Sequence, residues 1–261
     1  MLNTLFVGKV CTHLHSVDST NQYATSLLAK SKPTEGTVIT AFQQTNGRGQ
    51  IGSSWEAQPG ANITCSIILY PKFLHPTKQH LLSKAVALAV FHTVQHYTPT
   101  SHTVYIKWPN DIYIQHAKVA GILIQNALST NGLYQSAIVG IGLNVNQQTF
   151  NPNVPNATSL CHLHQHPLDT TQVLHTLLTH IEQYYLLLKN NHTESLQQQY
   201  ETRLLGKNQI LSFLDLRTHT PLTGTLLGTN PHNGHLRILN HTQQIEQQFD
   251  IKEIKFILPT L

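Results

Sequence analysis

The chain has 261 residues, enough for one sizeable core or one core plus a small appended domain, and an apolar fraction of 40%, ordinary for a soluble globule. No apolar run approaches the ~20 residues of a spanning helix, and Met1–Val7 carries neither a basic flank nor a small-residue cleavage site, which argues against a membrane span and a signal peptide. The net charge of +4 comes from scattered Lys and Arg with no basic run to track a phosphate backbone, and three widely spaced cysteines without CxxC read as reduced thiols of a cytoplasmic protein.

Charged residues are only 11% of the chain, against about 25% in typical domains, while there are 18 histidines. A neutral, polar surface follows, with a positive charge that climbs on acidification below about pH 6.5. Compositional drift accounts for this without a role in function.

In chain order, Ser19-Thr20-Asn21-Gln22 followed by Tyr23–Lys30 reads as a helix with a capping box, Ser19 paired with Gln22. Thr20 and Asn21 add polar side chains at a helix N-terminus, where free N–H groups can meet a ligand. Thr37–Phe42 alternates as a strand and delivers the glycine loop Gln43–Trp55. Gly47, Gly49 and Gly52 spell GxGxxG, but Trp55, Pro59 and Gly60 precede another strand, Ile63–Tyr70, rather than a helix, so neither the dinucleotide nor the kinase reading fits. Glycines allow backbone N–H groups to approach a ligand closely, and with Arg48 among them the loop suits an anion.

A helix from about Thr77 to Tyr97 is apolar on most faces and therefore buried. Lys107-Trp108-Pro109-Asn110-Asp111 turns one β run into the next, and a third starts at Lys118-Val119-Ala120-Gly121. There a cation stands at the mouth of an apolar strand, and Gly121 leaves room against the backbone. Asn131-Gly132 marks a hairpin into Tyr134–Val145, which carries Gly140, Gly142 and Asn144. Cys161, His162, His164 and His166 alternate in a Pro-containing loop; zinc is one reading, but without CxxC or HxxxH spacing a histidine-rich surface is favoured. Asp169 caps an amphipathic helix to Leu188, a second helix runs from Thr193 to Leu205, and Gly206 stops it. Short strands with turn signals then predict a small β-barrel. The domain boundary is placed accordingly, 1–206 and 207–261. The fold class is α+β, a mixed β-sheet with helices on one side plus a small C-terminal β-barrel.

No nucleophile–base pair and no HExxH is present. Arg48, Lys107, Lys118 and Asp111 instead form a set able to hold anions and to stabilise charge on a transferring phosphate by position and electrostatics, as acyl-adenylate formation requires.

Taken together, Ser19-Thr20-Asn21, the Gln44–Trp55 loop, Lys107–Asp111, Lys118–Leu123 and Gly140–Asn146 resemble, in order, the motifs of the biotin protein ligases. The resemblance implies a class II aminoacyl-tRNA synthetase-like catalytic fold with a C-terminal SH3-like domain. It also implies ATP- and Mg2+-dependent biotinylation of a lysine on a biotin carboxyl carrier domain of a carboxylase, through biotinyl-5′-AMP. Carried over by position, biotin binding falls to Ser19, Thr20, Asn21, Gln44, Gly47, Arg48, Gly49, Gln50, Trp55, Lys118, Gly121 and Gly142. ATP binding falls to Arg48, Lys107, Asn110, Asp111, Lys118 and Asn144, with Asp111 on magnesium and Arg48 and Lys118 catalytic. Trp55 packs on the ligand, and Gly121 and Gly142 leave space for it. Many relatives carry a second arginine where this chain has Gln50, so faster leakage of biotinyl-AMP is expected. Only 18 residues precede Ser19, too few for the helix-turn-helix of the repressor relatives, so DNA binding is not expected; a homodimer stays open. Lipoate–protein ligase and a non-catalytic biotin or nucleotide sensor remain the alternatives.

Overall fold

A computed structural model describes residues 2–50, 53–152, 156–164 and 166–258. Ile51 and Gly52, the last glycine of the loop, lie outside the described residues, as does Gln165 of the histidine-rich stretch.

Seven strands form the main sheet: β1 (Cys11–Val17), β2 (Val38–Gln44), β3 (Ile63–Leu69), β4 (Val104–Lys107), β5 (Asp111–Ile114), β6 (Ala117–Leu128) and β7 (Tyr134–Leu143). Their order is β1-β2-β3-β7-β6-β5-β4. All neighbours are antiparallel except β1 and β2, which run parallel and make the sheet mixed. β1 carries Thr12, His13, His15 and Ser16, and none of its residues is buried. A polar edge strand lacks the half-buried alternation that marks strands in a sequence, and none was predicted there.

The helices are α1 (Thr20–Lys30), α2 (Gln79–His96), α3 (Thr170–Lys189) and α4 (Thr193–Glu201). α2, α3 and α4 cover one face, where Leu82, Leu88, Val90, Leu177 and Leu196 join Ile67, Val139 and Ile141 of the sheet in the main core. The expectation of helices on one side needs one correction. α1 packs on the opposite face, where Ala24 meets Ile39, Ile68 and Ile138 in a second, smaller core. The strands alternate, so Ile67 and Ile68 serve different faces.

Sequence-predicted caps divide in two. Asp169 Oδ1 accepts the Thr171 N–H at 2.8 Å, capping α3 as expected. Ser19 sits at the N-cap of α1 but makes no side-chain capping bond. The α1 terminus is satisfied from a distance, by Gln44 Oε1 of β2 accepting the Thr20 N–H at 2.8 Å, while Gln22 is exposed. The capping box does not form, and the Ser19 hydroxyl is left free for other work.

The helix expected to run to Leu205 and stop at Gly206 ends earlier, at Glu201 with Thr202 as its C-cap. Gly206, at a φ of +76°, lies in the turns that follow, and beyond them five antiparallel strands form a second sheet in the order β11-β10-β9-β8-β12. These are β8 (Ile210–Asp215), β9 (Thr220–Thr229), β10 (Leu236–Asn240), β11 (Ile245–Phe249) and β12 (Ile254–Ile257). Phe213, Leu226, Ile238 and Phe249 close its interior. It is tied to the first unit: Trp108 Nε1 donates to Gly234 O at 3.1 Å, and Lys84, only 3% exposed, donates to Thr229 Oγ1 at 2.8 Å. Among the described residues no helix is long and apolar enough to cross a membrane.

Candidate functional site

The α1 face of the sheet is where the strands turn polar or small. Ser66 on β3 and Gly140 on β7 stand where apolar side chains would otherwise meet α1, and Gly142, two residues on, faces Trp55. Ser66 Oγ lies 2.7 Å from Thr20 Oγ1 and 2.6 Å from Asn21 Oδ1, and Thr20 Oγ1 lies 3.1 Å from Gln44 Oε1. Asn21 Nδ2 donates to Gln125 Oε1 at 3.0 Å. A Cβ on Gly140 would fall 2.3 Å from Asn21 Oδ1, so this network can lie on the sheet only because residue 140 has no side chain.

Of these, Thr20, Asn21, Gln44 and Gly140, together with Ser19, wall one end of a cavity of about 150 Å³. At the other end stand Arg48, Asp111 and Lys118. Lys118 Nζ is 2.7 Å from Asp111 Oδ1, both side chains partly exposed, and 5.8 Å from the centroid of the Trp55 ring. Asp111 stands opposite Gly121 across β5 and β6, so the tight turn after Lys107 swings its carboxylate under the lysine of the next strand. Among the described residues Arg48 forms no ion pair. The cavity therefore has a neutral end of hydroxyls and amides and a cationic end with one balancing carboxylate.

The glycine loop makes the roof. Gly49 N–H donates to Ser53 O and Trp55 N–H to Gly47 O, both at 2.9 Å, closing the segment on itself. A Cβ on Gly47 would lie 2.2 Å from Trp55 O, which requires glycine there. Gly121 and Gly142 face one another across β6 and β7. The space they leave is filled here by the indole of Trp55, whose Nε1–H is buried without a hydrogen-bond partner. On the far side of the same loop lies a second cavity of about 580 Å³, walled by Trp108, Pro109, Asn110, Tyr200 and the Asp250–Lys252 turn of the second sheet.

Of the sequence-predicted residues, Ser19, Thr20, Asn21, Gln44, Arg48, Gly49, Gln50, Trp55, Asp111, Lys118, Gly121 and Gly142 all line the first cavity. Gly47 supports its roof from behind. Asn110 is not on that wall; it is buried, donates to Ile122 O at 2.6 Å and lines the second cavity. Asn144, also buried, donates to Thr158 O at 3.0 Å, and its Oδ1 has no partner. Lys107 is the clear departure. Its Nζ lies 5.3 Å from the ring of Phe256 and 5.7 Å from that of Tyr113, and it lines neither cavity. Burial lowers its pKa, with Asp111 opposing that shift. Lys107 pairs directly with Asp111 across β4 and β5, yet its long side chain ends beside Phe256 of the second sheet.

Sequence reasoning held Gly140, Ser53 and Ser54 within its motifs without giving them a role, and it missed Ser66. A serine inside the apolar run Ile63–Leu69 was the available signal for Ser66.

Two metal readings also meet the structure. Among the described residues no group of three or more His, Cys, Asp or Glu could hold an ion. The period-two alignment on which the disfavoured zinc reading of Cys161–His166 depended is replaced by a 3-10 turn over Leu160–Leu163. His162 then contacts Gln148 O and His164 contacts Tyr97 O, so the rings point to separate carbonyls. Asp111 is a single carboxylate, a donor set that suits a magnesium ion brought in with phosphates rather than a dedicated cage.

The family model for biotin/lipoate A/B protein ligases matches residues 14–144, which hold every group named above as lining the first cavity. The bifunctional ligase/repressor BirA of Bacillus spizizenii is 34% identical over 188 residues, covering 70% of this chain and 56% of that protein. The biotin–[acetyl-CoA-carboxylase] ligase of Mycobacterium tuberculosis is 32% identical over 166 residues, covering 63% of this chain and 59% of that one. The chain thus spans little more than half the length of these curated relatives. Among solved structures, the biotin protein ligase of Aquifex aeolicus in complex with biotin and ATP superposes with a TM-score of 0.79 at 27% identity, covering 96% of this chain and all of that one.

Proposed function

Since the chain belongs to the biotin/lipoate A/B protein ligase family, we propose that it adenylates biotin with ATP and transfers the biotinyl group to a lysine of a biotin carboxyl carrier domain of a carboxylase. The observation that carries this reading is that Arg48 and Lys118, from a loop and a strand far apart in sequence, line one cavity whose opposite wall is neutral and hydrogen-bonding.

The chemistry follows from that polarity. Ser19, Thr20 and Gln44 offer hydroxyls and an amide to a neutral ureido ring, with burial making each bond selective. The acid's carboxylate then reaches toward Lys118 and Arg48. A carboxylate oxygen attacks the α-phosphorus, the bond to the bridging oxygen of pyrophosphate breaks, and pyrophosphate leaves. The acid is already ionised at pH 7, so this step needs no base. Lys118 serves as a mobile point charge and Arg48 as a planar fork on the oxygens gaining charge. Asp111 holds Lys118 in place before the acid arrives, and is the group that would hold Mg2+, which neutralises phosphate charge when bound with the nucleotide. In the second half-reaction the acceptor lysine's amine attacks the acyl carbon, an amide forms and AMP leaves.

The same reading places the catalytic unit at 1–206, an accessory sheet at 207–261 and the protein in the cytoplasm. Biotin-dependent exchange of labelled pyrophosphate into ATP, run beside lipoate, followed by transfer of labelled biotin to a carrier domain, tests it. Exchange with biotin and transfer are expected. Exchange with lipoate alone, or tight biotin binding with neither reaction, overturns the proposal.

A further inference from the structure

We infer that Gln50 is a positioning residue, a neutral amide latch that fastens the glycine loop to the Lys107–Asp111 turn through Asn110. Gln50 Nε2 donates to Asn110 Oδ1 at 3.1 Å. Asn110, only 6% exposed, cannot turn over to suit another partner, because its Nδ2 donates to Ile122 O at 2.6 Å. Position 110 therefore presents an acceptor to the loop, and only a donor at position 50 can meet it. Ser53 N–H donates to Gln50 O at 2.8 Å, and the Gly49–Ser53 and Gly47–Trp55 bonds brace the rest. Fixing Gln50 thus fixes Arg48 and Trp55 with it. The bond also lies where the loop separates the two cavities, so it holds the cationic roof over the first cavity before any ligand is present. Gln50 does this without placing a second positive charge beside Arg48.

The latch predicts a donor rule that neither charge nor size explains. In the full chain without ligands, Gln50→Met, close in shape and unable to donate, should speed amide hydrogen exchange of the 45–50 and 53–55 segment about 5-fold, the scale of one neutral hydrogen bond. Gln50→Lys, which donates, should stay near the parent. A Met variant that exchanges like the parent, with an unchanged thermal melt, overturns the latch, and so does a Lys variant that exchanges like Met. A second readout rests on the adenylating function proposed above: biotinyl-AMP should dissociate about 5-fold faster from the Met variant, with Lys restoring retention. Faster exchange in the Met variant, with no biotin-dependent pyrophosphate exchange in the parent, would support the latch and sink the function. Normal catalysis with no difference in loop exchange or retention would do the reverse.

Discussion

A Cβ on Gly142 would lie 2.2 Å from Cε2 of Trp55, so the indole occupies the notch that a side chain at 142 would fill. The glycines of β6 and β7 were expected to make room for a ligand, and in this structure the room they make belongs to the tryptophan that roofs the cavity.

Gly142→Ala should therefore expel the indole or strain the strand, at about 1–3 kcal/mol as for other overpacked sites. Trp55 and Trp108 are the chain's 2 tryptophans, and Trp108 is buried with its N–H bonded to Gly234. The emission spectrum should shift red as Trp55 meets water, with weaker biotin binding. An unchanged spectrum would mean that the indole does not rest there in solution.

Lys118 bears on rate rather than fold, being partly exposed and, among the described residues, in an ion pair with Asp111 alone. Lys118→Ala should slow pyrophosphate exchange by about 10²-fold, the scale of losing one electrostatic stabiliser, with little change in unfolding midpoint. Lys118→Arg should recover little, since a rigid fork does not replace a point charge. A near-normal rate for the alanine variant would remove the lysine from the chemistry.

Acid should weaken the fold through histidines held neutral. His92 stacks on Tyr184, 5.5 Å between centroids, and its pKa is lowered to about 4 by burial first and then by Arg203 and His180. His180 is lowered by burial and then His96, and His80, at the junction with the second sheet, is lowered to about 4 by burial and then by Lys84. Each folded pKa lies below the unfolded 6.5, so the unfolded chain binds protons first. The stability these groups contribute is complete above pH 6.5, is lost as pH falls toward about 4, and levels off below that. Urea unfolding across this window should show the decline, with a shallower slope in His92→Leu. Equal slopes would show that His92 does not titrate differently on folding.

The N-terminal segment is anchored by one carboxylate. Glu182 of α3, 6% exposed, accepts the backbone N–H groups of Leu5, Phe6 and Val7 at 2.5, 2.7 and 2.9 Å. Glu182→Ala should cost about 2 kcal/mol, the range for charge-assisted hydrogen bonds, with the Val7 N–H left buried, and should expose residues 2–7 to proteolysis. Intact protection would show that Val7 packing alone suffices.

The sequence by itself determined the pieces whose signals are local. The alternation of Thr37–Phe42, the apolar faces of α2 and α3, the Asp169 cap and the ordered motifs around Arg48, Asp111 and Lys118 depend on periodicity and neighbouring residues, so they were legible before any fold was known. The tertiary structure decided every matter settled by residues distant in the chain. Gln44, not Ser19 with Gln22, satisfies the start of α1; β1 exists because β2 offers it a partner; α1 takes the opposite face of the sheet; Lys107 turns to Phe256; and Gln50 finds Asn110. The physical reason is the same in each case. A hydrogen-bonding group or cation has several chemically equivalent partners, and which one it meets is set by where hydrophobic burial brings the strands and helices together, not by the identity of its neighbours along the chain.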